Sequence, residues 1–331
     1  MEAPKQKTNN VEFVKLRRNL SQKMDVIFDM ETNDPDDYLT LCLLASHPSV
    51  CLRAVTITPG TREQVGLVKY TLRRYKDSRL HSIPVGTRSF SSSASSSSSS
   101  RSVSAFHWRA LGLSSPLVAE SDGRGCDVLY KTLQSYPEAT IVTGAPLSNL
   151  GQLLEAYPDV RIRRWVAQGG FAGDNIVPPE HRLEKFNGKT VCPTFNFGGD
   201  RRSAMALLTS ERVQQRVLVS KNVCHGVLYD ADFHRFLKPY IKDSEGLQFI
   251  YEAMECYFER KGEKALHDPL AACIAIDPSI ATFAEVEMYE TKEGKGRGWG
   301  CNASPGSNTF ITVSVDQDAF REVFAMTQPL K

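Results

Sequence analysis

Apolar residues along the chain form short runs that alternate with stretches of helical periodicity. The run MDVIFD over residues 24–29 precedes a helical pattern over 38–44, and the β-branched run over 50–58 precedes another over about 63–75. Short apolar runs bounded by turn residues are typical of buried strands, whereas longer segments with apolar residues three or four apart are typical of amphipathic helices. The start of the chain therefore predicts the order strand, helix, strand, helix.

The same alternation continues through the middle of the chain. Further strand candidates are the segments 83–85, 139–143, 165–167 and 217–219, each followed by a turn and then a helical pattern. Strands that alternate with helices are joined by right-handed crossovers and form a mostly parallel sheet. We therefore predict an α/β fold with a mostly parallel central sheet flanked by helices. In such a fold the active site lies at the C-terminal ends of the strands.

Two polar segments interrupt this pattern. Residues 1–20 are polar and basic, and we expect them to form a flexible N-terminal segment ahead of a single domain over 21–331. Residues 89–104 are almost all serine, and such a tract buries too little apolar surface to offset the entropy lost on ordering. We expect a disordered surface insertion there, with a linker between two domains as the alternative.

Composition and charge narrow the class of protein without indicating a function. Hydrophobic residues make up 41% of the chain and charged residues 24%, as in ordinary globular proteins. The net charge is only +2, so we expect no nucleic-acid or membrane partner. The cysteines form no CxxC pair, and the sequence shows neither a signal peptide nor a membrane-spanning apolar run. These features favour a cytoplasmic protein whose cysteines are buried free thiols.

The densest acidic cluster lies where the first predicted strand gives way to the first predicted helix. Its carboxylates repel one another unless a cation or ligand lies among them. They belong to Asp29, Glu31, Asp34, Asp36 and Asp37. A helix N-terminus explains the last three as capping and first-turn residues, but it does not explain Asp29 and Glu31 at the strand end. A helix cap and a site for a hard cation such as Ca²⁺ or Mg²⁺ both remain open on the residues alone.

Two further segments carry candidate chemistry. His267 and Asp268 precede a proline and an apolar stretch, so they fit either the start of a helix, with Asp268 as N-cap, or a catalytic pair. The segment TGAPLSNL over 143–150 follows a predicted strand and opens a helix. Ser148 or Asn149 is there either a helix cap or part of a turn that exposes a backbone group at the edge of the sheet.

Taken in order, these segments resemble the motifs of the inosine-uridine-preferring nucleoside hydrolases. That family opens with a DxDPGxDD signature after its first strand, which residues 29–37 resemble with one extra residue. The other matches extend over nearly the whole chain. Residues 54–61 resemble a segment ending in Gly-Asn, 145–149 the GPLTN turn, 169–175 the GGA…GN loop, 194–200 the EFN…DP segment and 267–271 the HDPLA motif.

The resemblance implies a calcium-dependent hydrolase that cleaves the N-glycosidic bond of a purine or pyrimidine ribonucleoside to give ribose and free base. It implies Ca²⁺ bound by the carboxylates of Glu31, Asp37 and Asp268 and by the backbone carbonyl of Ser148. Cleavage of such a bond builds positive charge on the sugar ring, which nearby carboxylates stabilise, and a metal ion acidifies the attacking water. The resemblance also implies a homodimer or homotetramer.

The resemblance further assigns roles in catalysis and substrate binding. Glu31 matches the proposed general base, Asp36 matches an acceptor for ribose hydroxyls, and His267 matches the group that protonates the leaving base. Asn196 matches a contact on the 3′ side of the ribose and Asn175 one on the 5′ side. The full set of substrate-binding candidates is Asp29, Asp36, Thr61, Asn175, Thr194 and Asn196.

The chain departs from the family pattern at positions that matter for the reaction. Glu31 replaces an aspartate, Thr61 replaces an asparagine, and Thr194 replaces a glutamate that contacts a 5′-hydroxyl. An insertion over about 177–193 adds basic residues, which are either solvated or admit a substrate with a 5′-phosphate. Two alternatives therefore stay open: a hydrolase of a phosphorylated or modified N-riboside, and a catalytically weak riboside-binding protein of the same fold.

Overall fold

The structure is a computed structural model that describes residues 11–19, 22–88, 103–293 and 296–326. The predicted disordered insertion over about 89–104 lies outside these residues except for Val103 and Ser104. Val103 is buried, and the Ser104 hydroxyl accepts the Phe106 N–H at the start of a helix. These last residues of the predicted insertion are therefore part of the fold.

The strands of the described chain form one large sheet and one small one. They are β1 Phe13–Val14, β2 Met24–Met30, β3 Val50–Ile57, β4 Val85–Thr87, β5 Gly123–Arg124, β6 Thr140–Thr143, β7 Arg164–Gln168, β8 Val191–Cys192, β9 Arg216–Val219, β10 Leu228–Tyr229, β11 Lys264–Ala265, β12 Ala281–Glu293, β13 Gly296–Ala303 and β14 Thr309–Val315. The large sheet has the order β5-β4-β3-β2-β6-β7-β9-β14-β12-β13-β8, with β1 paired to β12, while β10 pairs with β11 separately.

Helices connect the strands and cover the sheet. They are α1 Pro35–Ser46, α2 Arg62–Arg73, α3 Ala105–Ala110, α4 Gly125–Ser135, α5 Ser148–Ala156, α6 Phe195–Gly199, α7 Arg201–Thr209, α8 Lys221–Cys224, α9 Ala231–Leu237, α10 Glu245–Phe258, α11 His267–Ile276 and α12 Gln317–Phe324. α11 is apolar on all sides after its first residues, which is typical of a helix buried in the core. It packs against α1 and β7, and so its N-terminus reaches the same edge of the sheet as that of α1.

The strands from β5 to β14 in the sheet order are all parallel to their neighbours. The prediction of a mostly parallel α/β sheet is therefore confirmed. Most predicted strand segments coincide with observed strands, but 83–85 overlaps β4 only at Val85. The central strands β6 and β9 are buried throughout, because helices cover both faces of the sheet.

The C-terminal part of the sheet is antiparallel, which the sequence analysis did not predict. β12 pairs antiparallel with both β13 and β14, and β13 pairs antiparallel with β8. Trp299 in β13 is buried, with its ring 5.3 Å from that of Phe197. The β12–β13 hairpin extends the sheet beyond its parallel strands. β8 lies near the end of the 177–193 insertion and pairs with β13, so the insertion reaches the edge of the sheet.

The described part of the N-terminal segment contacts the domain at two places. Phe13–Val14 pairs antiparallel with β12, and Arg18 donates from Nε to the Ile276 carbonyl at 2.8 Å. Flexibility of the segment as a whole remains a prediction. All cysteines are free thiols, and most are buried, as predicted. Within the described ranges, no helix combines the length and apolar character needed to cross a lipid bilayer.

His47 at the end of α1 gives the fold a pH dependence. Its Nδ1 accepts the Ser49 N–H at 3.1 Å, so its Nε2 carries the proton donated to the Val323 carbonyl at 3.2 Å. Burial lowers the pKa of His47 from 6.5 to about 4. Above pH 6.5 the residue is neutral in both states. As the pH falls toward 4, the unfolded chain takes up a proton that the folded chain resists, and stability is lost.

We expect this one group to lower the free energy of unfolding by up to about 3 kcal/mol on acidification through that range. Urea unfolding of the unaltered protein and of His47→Gln, at about pH 7.5 and about pH 5, measures the contribution. Glutamine retains a hydrogen-bonding side chain but does not titrate, so His47→Gln should lose less stability on acidification. An equal loss in both proteins would contradict the assignment.

Candidate active site

The acidic cluster lies at the carboxyl end of β2 and in the first turn of α1. β2 ends at Met30 and α1 begins at Pro35, so Asp36 and Asp37 occupy the first turn, where the helix dipole favours negative charge. Asp34 occupies the N-cap position, but its side chain makes no capping hydrogen bond. Helix capping therefore explains where these residues lie without explaining what the Asp34 carboxylate binds.

Lys264, which the sequence analysis missed, is the partner of Asp34. Its Nζ lies 3.0 Å from Asp34 Oδ1 and 3.3 Å from Asp36 Oδ1, and its side chain is 6% exposed. Burial opposes the charge on Lys264, but Asp36 and Asp34 outweigh burial, so the pKa of Lys264 is raised above its ordinary value. A single lysine carries no sequence signal, because only the pairing of β10 with β11 brings it to the acids.

Asp36 also joins the N-termini of α1 and α11. Its Oδ2 accepts the backbone N–H groups of His267 at 3.1 Å and Asp268 at 3.3 Å. α11 begins at His267 with Leu266 in the N-cap position, so Asp268 is not the N-cap that the sequence alternative described. A carboxylate from α1 thus satisfies the first donors of α11, which leaves the Asp268 side chain available for another partner.

Asp36, Asp37 and Asp268 form a buried carboxylate cluster. One carboxylate oxygen of each lies within 4.8 Å of the others. Burial and then the charge of Asp268 raise the pKa of Asp37 well above its ordinary value, and burial and then Asp36 do the same to Asp268. The ammonium of Lys264 offsets only part of this negative charge. Because the donors are all oxygens, the residues present fit a hard divalent cation such as Ca²⁺.

Glu31 lies beside this cluster and is not one of its three members. Its Oε2 accepts the Asn33 N–H at 3.0 Å, and its own N–H donates to Asp37 Oδ1 at 2.9 Å. Burial raises the pKa of the Glu31 carboxyl to about 7, although the Asn33 hydrogen bond lowers it. The extra residue of the motif lies in the loop between β2 and α1, and the hydrogen bond that the Glu31 side chain accepts helps to hold this loop in place.

A cavity of about 290 Å³ opens over the carboxylates. It brings together candidates from four separate parts of the sequence, namely the acidic motif, the β7 end, the segment around Asn196 and the HDPLA motif. Its lining residues are Glu31, Asp34, Asp36, Asp37, Gly144, Gln168, Thr194, Phe195, Asn196, Lys221, His225, His267 and Asp268. The cavity lies at the carboxyl ends of the parallel strands, where the fold prediction places it.

Two acceptors in the cavity wall are buried without a protein partner. Asn196 Nδ2 donates to the backbone carbonyl and to Oε1 of Gln168, at 3.1 and 2.7 Å. The other amide atom, Asn196 Oδ1, has no hydrogen-bond partner among the described residues. Thr194 Oγ1 has none among them either. Buried polar atoms are normally hydrogen-bonded, so these two atoms indicate a ligand that donates hydrogen bonds.

Two of the predicted substrate-binding residues have local structural roles and do not line the cavity. Asp29 Oδ1 accepts from Thr56 Oγ1 at 2.6 Å and from Asn149 Nδ2 at 2.8 Å, and burial raises the pKa of Asp29 to about 7. Thr61 caps α2, where its Oγ1 accepts the Gln64 N–H at 3.3 Å. Asp29 therefore supports the turn around Asn149, and Thr61 fixes the start of a helix.

Asn175 and Ser148 also lie outside the cavity lining. Asn175 Nδ2 donates to the Cys301 carbonyl at 2.7 Å, which ties the loop after β7 to β13. The Ser148 hydroxyl donates to Asp200 Oδ2 at 2.7 Å and so fixes the turn whose backbone carbonyl the resemblance assigns to calcium. A role for Asn175 on the 5′ side of a ribose and for the Ser148 carbonyl as a ligand remains a prediction.

Gly144 is a second functional position that the sequence analysis missed. A Cβ atom there would lie 2.6 Å from Cγ and 2.8 Å from both carboxylate oxygens of Asp268. The residue after β6 must therefore be glycine if the Asp268 carboxylate is to keep its place in the cluster. The signal was present in the TGAPLSN segment, but the sequence does not show which side chain the glycine accommodates.

His267 lines the cavity, and one of its ring nitrogens contacts another side chain of the protein. Its Nδ1 lies 3.2 Å from the Cys224 Sγ, and its ring centroid is 4.7 Å from that of His225. Burial, followed by the charge of Lys264, lowers the pKa of His267 to about 4. His267 is therefore neutral at pH 7.

Two tryptophans of the chain are core residues, and an exposed phenylalanine lies at the cavity. Trp108 in α3 and Trp299 in β13 are buried and do not line the cavity. Phe195 does line it and is 67% exposed. An exposed aromatic ring at a cavity mouth can stack on a planar ligand group.

Comparisons with known proteins agree with this site. The model of the inosine-uridine preferring nucleoside hydrolase family matches residues 26–322. An uncharacterized protein of Aquifex aeolicus (strain VF5) is 28% identical over 309 residues, covering 90% of this chain and 97% of its own. The pyrimidine-specific ribonucleoside hydrolase RihA of Salmonella paratyphi C is 25% identical over 290 residues, covering 83% of this chain and 86% of its own.

A solved structure shows the same fold. A plant nucleoside hydrolase, the PpNRh1 enzyme, superposes with a TM-score of 0.67 at 22% sequence identity, covering 92% of this chain and 99% of its own. The family match extends from β2 to α12 and so includes every element that contributes to the cavity. The chain therefore belongs to the inosine-uridine preferring nucleoside hydrolase family and is a hydrolase of N-glycosidic bonds.

Proposed function

We propose that the protein hydrolyses ribonucleosides to ribose and free base with the help of bound Ca²⁺. The observation that carries the proposal is a cavity that joins the buried carboxylate cluster to the unpartnered acceptors Asn196 Oδ1 and Thr194 Oγ1. Acceptors gathered in this way suit a ligand rich in hydroxyl groups, such as ribose. Membership of the family and the ribonucleoside hydrolase activity in the name of the Salmonella relative support the same substrate class.

Calcium would be held by Glu31, Asp37, Asp268 and the backbone carbonyl of Ser148. Asp37 and Asp268 belong to the buried cluster, and Glu31 lines the same cavity. When bound, the ion supplies positive charge that offsets carboxylate repulsion and acidifies a water molecule. Asp36 is held by Lys264 and by the first N–H groups of α11, so its carboxylate is fixed in place to accept from a ribose hydroxyl.

The protein's carboxylates would take up a proton from the attacking water and face the charge that develops on the sugar. The water oxygen bonds to C1′ of the ribose while the bond from C1′ to the base nitrogen breaks, and the electron pair of that bond leaves with the base. Glu31 is our candidate for the general base, because its carboxylate lines the cavity beside the buried carboxylate cluster.

His267 would stabilise the departing base by donating a hydrogen bond. Its Nδ1 faces the Cys224 thiol, which leaves Nε2 as the ring nitrogen available to a ligand in the cavity. Because the imidazole is neutral at pH 7, it acts through an N–H rather than as an imidazolium. Phe195 at the mouth of the cavity is placed to stack on the planar base.

Calcium removal tests the proposal directly. EDTA should abolish release of base from uridine and inosine, and added Ca²⁺ should restore it. Asp37→Asn keeps the shape of the side chain but removes its charge, and we expect kcat/KM to fall by about 100-fold or more. Calorimetry should show weaker Ca²⁺ binding in the same variant. Full activity in EDTA, or bound Ca²⁺ without release of base from any ribonucleoside, would contradict the proposal.

Gly144→Ala tests whether the placement of the Asp268 carboxylate matters. The added methyl group overlaps that carboxylate, so we expect Ca²⁺ affinity measured by calorimetry to fall by about tenfold or more. Gly262→Ala is the matched control, since nothing lies within 4 Å of a Cβ there. Equal Ca²⁺ affinity in the two variants, with both proteins folded by circular dichroism, would show that the contact is unimportant.

His267→Ala separates the leaving-group role from sugar binding. We expect kcat for inosine and uridine to fall by about 100-fold or more, because the base then leaves without a hydrogen-bond donor. Hydrolysis of p-nitrophenyl riboside should fall much less, since nitrophenolate is a stable anion that needs no proton to leave. An equal loss with both kinds of substrate would assign His267 to a structural or binding role instead.

A further inference from the structure

The cavity lining is acidic in one part and cationic in another. Lys221 and His225 line it together with the carboxylates, and neither was among the predicted site residues. The carboxylate cluster accounts for a metal ion and ribose hydroxyls, but it does not account for an ammonium group in the same cavity. Lys221 therefore offers a positive charge in the cavity to a further group of the ligand.

Three lysines converge on one aromatic ring beside this part of the cavity. The Nζ atoms of Lys185, Lys189 and Lys221 lie 5.4, 6.0 and 6.0 Å from the ring centroid of Phe186. None of the ion pairs found in the described residues involves these lysines. Their positive charges lie on one side of the cavity and would together attract an anion.

Hydrogen bonds tie two of these ammonium groups to the cavity itself. Lys221 donates from Nζ to the Pro193 carbonyl at 2.8 Å, next to the cavity-lining Thr194. Lys185 donates from Nζ to His225 Nδ1 at 2.9 Å. An ammonium has three N–H donors, so each lysine keeps donors for a ligand after making the bond described.

The segment that carries Lys185 and Lys189 is anchored to the fold. Phe186 is buried against Phe171 and Cys192. Arg182 donates to the backbone carbonyls of Val177 and Asp174 at 2.8 and 2.7 Å. Lys185 and Lys189 are therefore exposed side chains on a packed segment, next to Lys221, which begins α8 and lines the cavity.

We propose that the preferred substrate is an N-riboside that carries a phosphate monoester, with the phosphate bound by Lys221, Lys185 and Lys189. This inference rests on the proposed function and names its substrate class. A phosphate monoester carries a charge of about −1.5 to −2 at pH 7 and three acceptor oxygens, which match a group of ammonium donors. The phosphate takes no part in bond cleavage, so hydrolysis releases a phosphorylated ribose and the free base.

The test compares kcat/KM for uridine and inosine with kcat/KM for their 5′- and 3′-monophosphates, in the calcium-loaded full chain. We expect one of the monophosphates to be cleaved about tenfold or more efficiently than its nucleoside, and the ratio to fall as ionic strength rises. Lys221→Gln and Lys185→Gln should each lower this ratio severalfold. Lys131→Gln, at an exposed lysine of α4 outside the cavity, is the matched control and should leave the ratio unaltered.

The outcomes distinguish this inference from the function on which it rests. Efficient cleavage of nucleosides with no gain from either phosphate overturns the inference and leaves the proposed function intact. A phosphate gain that survives in both lysine variants also overturns the assignment of the phosphate to these residues. Failure to cleave any of the substrates with calcium bound overturns the proposed function, and the inference with it.

Discussion

Mutual repulsion among three buried carboxylates is the constraint on which the rest of the site depends. Asp36, Asp37 and Asp268 bring their oxygens within 4.8 Å of one another in a place where water cannot screen them. The fold offsets part of this cost with the N-terminal ends of two helices and with Lys264. The part that remains favours binding of a divalent cation, so folding leaves the site ready for a metal.

The ion pair between Lys264 and Asp34 explains how the longer acidic motif is tolerated. In this chain α1 begins at Pro35, and Asp34 precedes it. A buried ammonium, that of Lys264, contacts both Asp34 and Asp36. Lys264 and Asp36 are both buried, so their pairing contributes mainly by leaving neither charge unpaired, whereas the Asp34 side chain is 46% exposed.

The parallel half of the fold and the order of the motifs could be predicted from the sequence, because both depend on local patterns. Apolar runs marked the strands, and the acidic and HDPLA segments marked the two helix starts that meet in the cavity. Lys264 and Gly144 could not be predicted in this way. Lys264 has no local signature, and Gly144 lies in a recognisable turn whose sequence does not show that the glycine accommodates Asp268.

Some side chains that the resemblance assigns to the substrate also have local structural roles. Thr61 forms a capping box with Gln64, and Asn175 donates from Nδ2 to the backbone of β13. Their roles toward a substrate remain predictions. The antiparallel hairpin of β12 and β13 was not predicted, although its pairing is local and joins residues 286–293 to residues 296–303. No strand was assigned to this part of the chain from its apolar pattern, so its pairing could not be predicted either.

The hydrogen bonds from the start of α11 to Asp36 join residues 231 and 232 positions apart. During synthesis, the acidic end of α1 therefore leaves the ribosome long before the helix that completes it. Until α11 has been made and packed, the nascent chain presents two of the three clustered carboxylates without the third, and without Lys264. The proposed metal site is therefore completed only after α11 has been translated and has packed against α1.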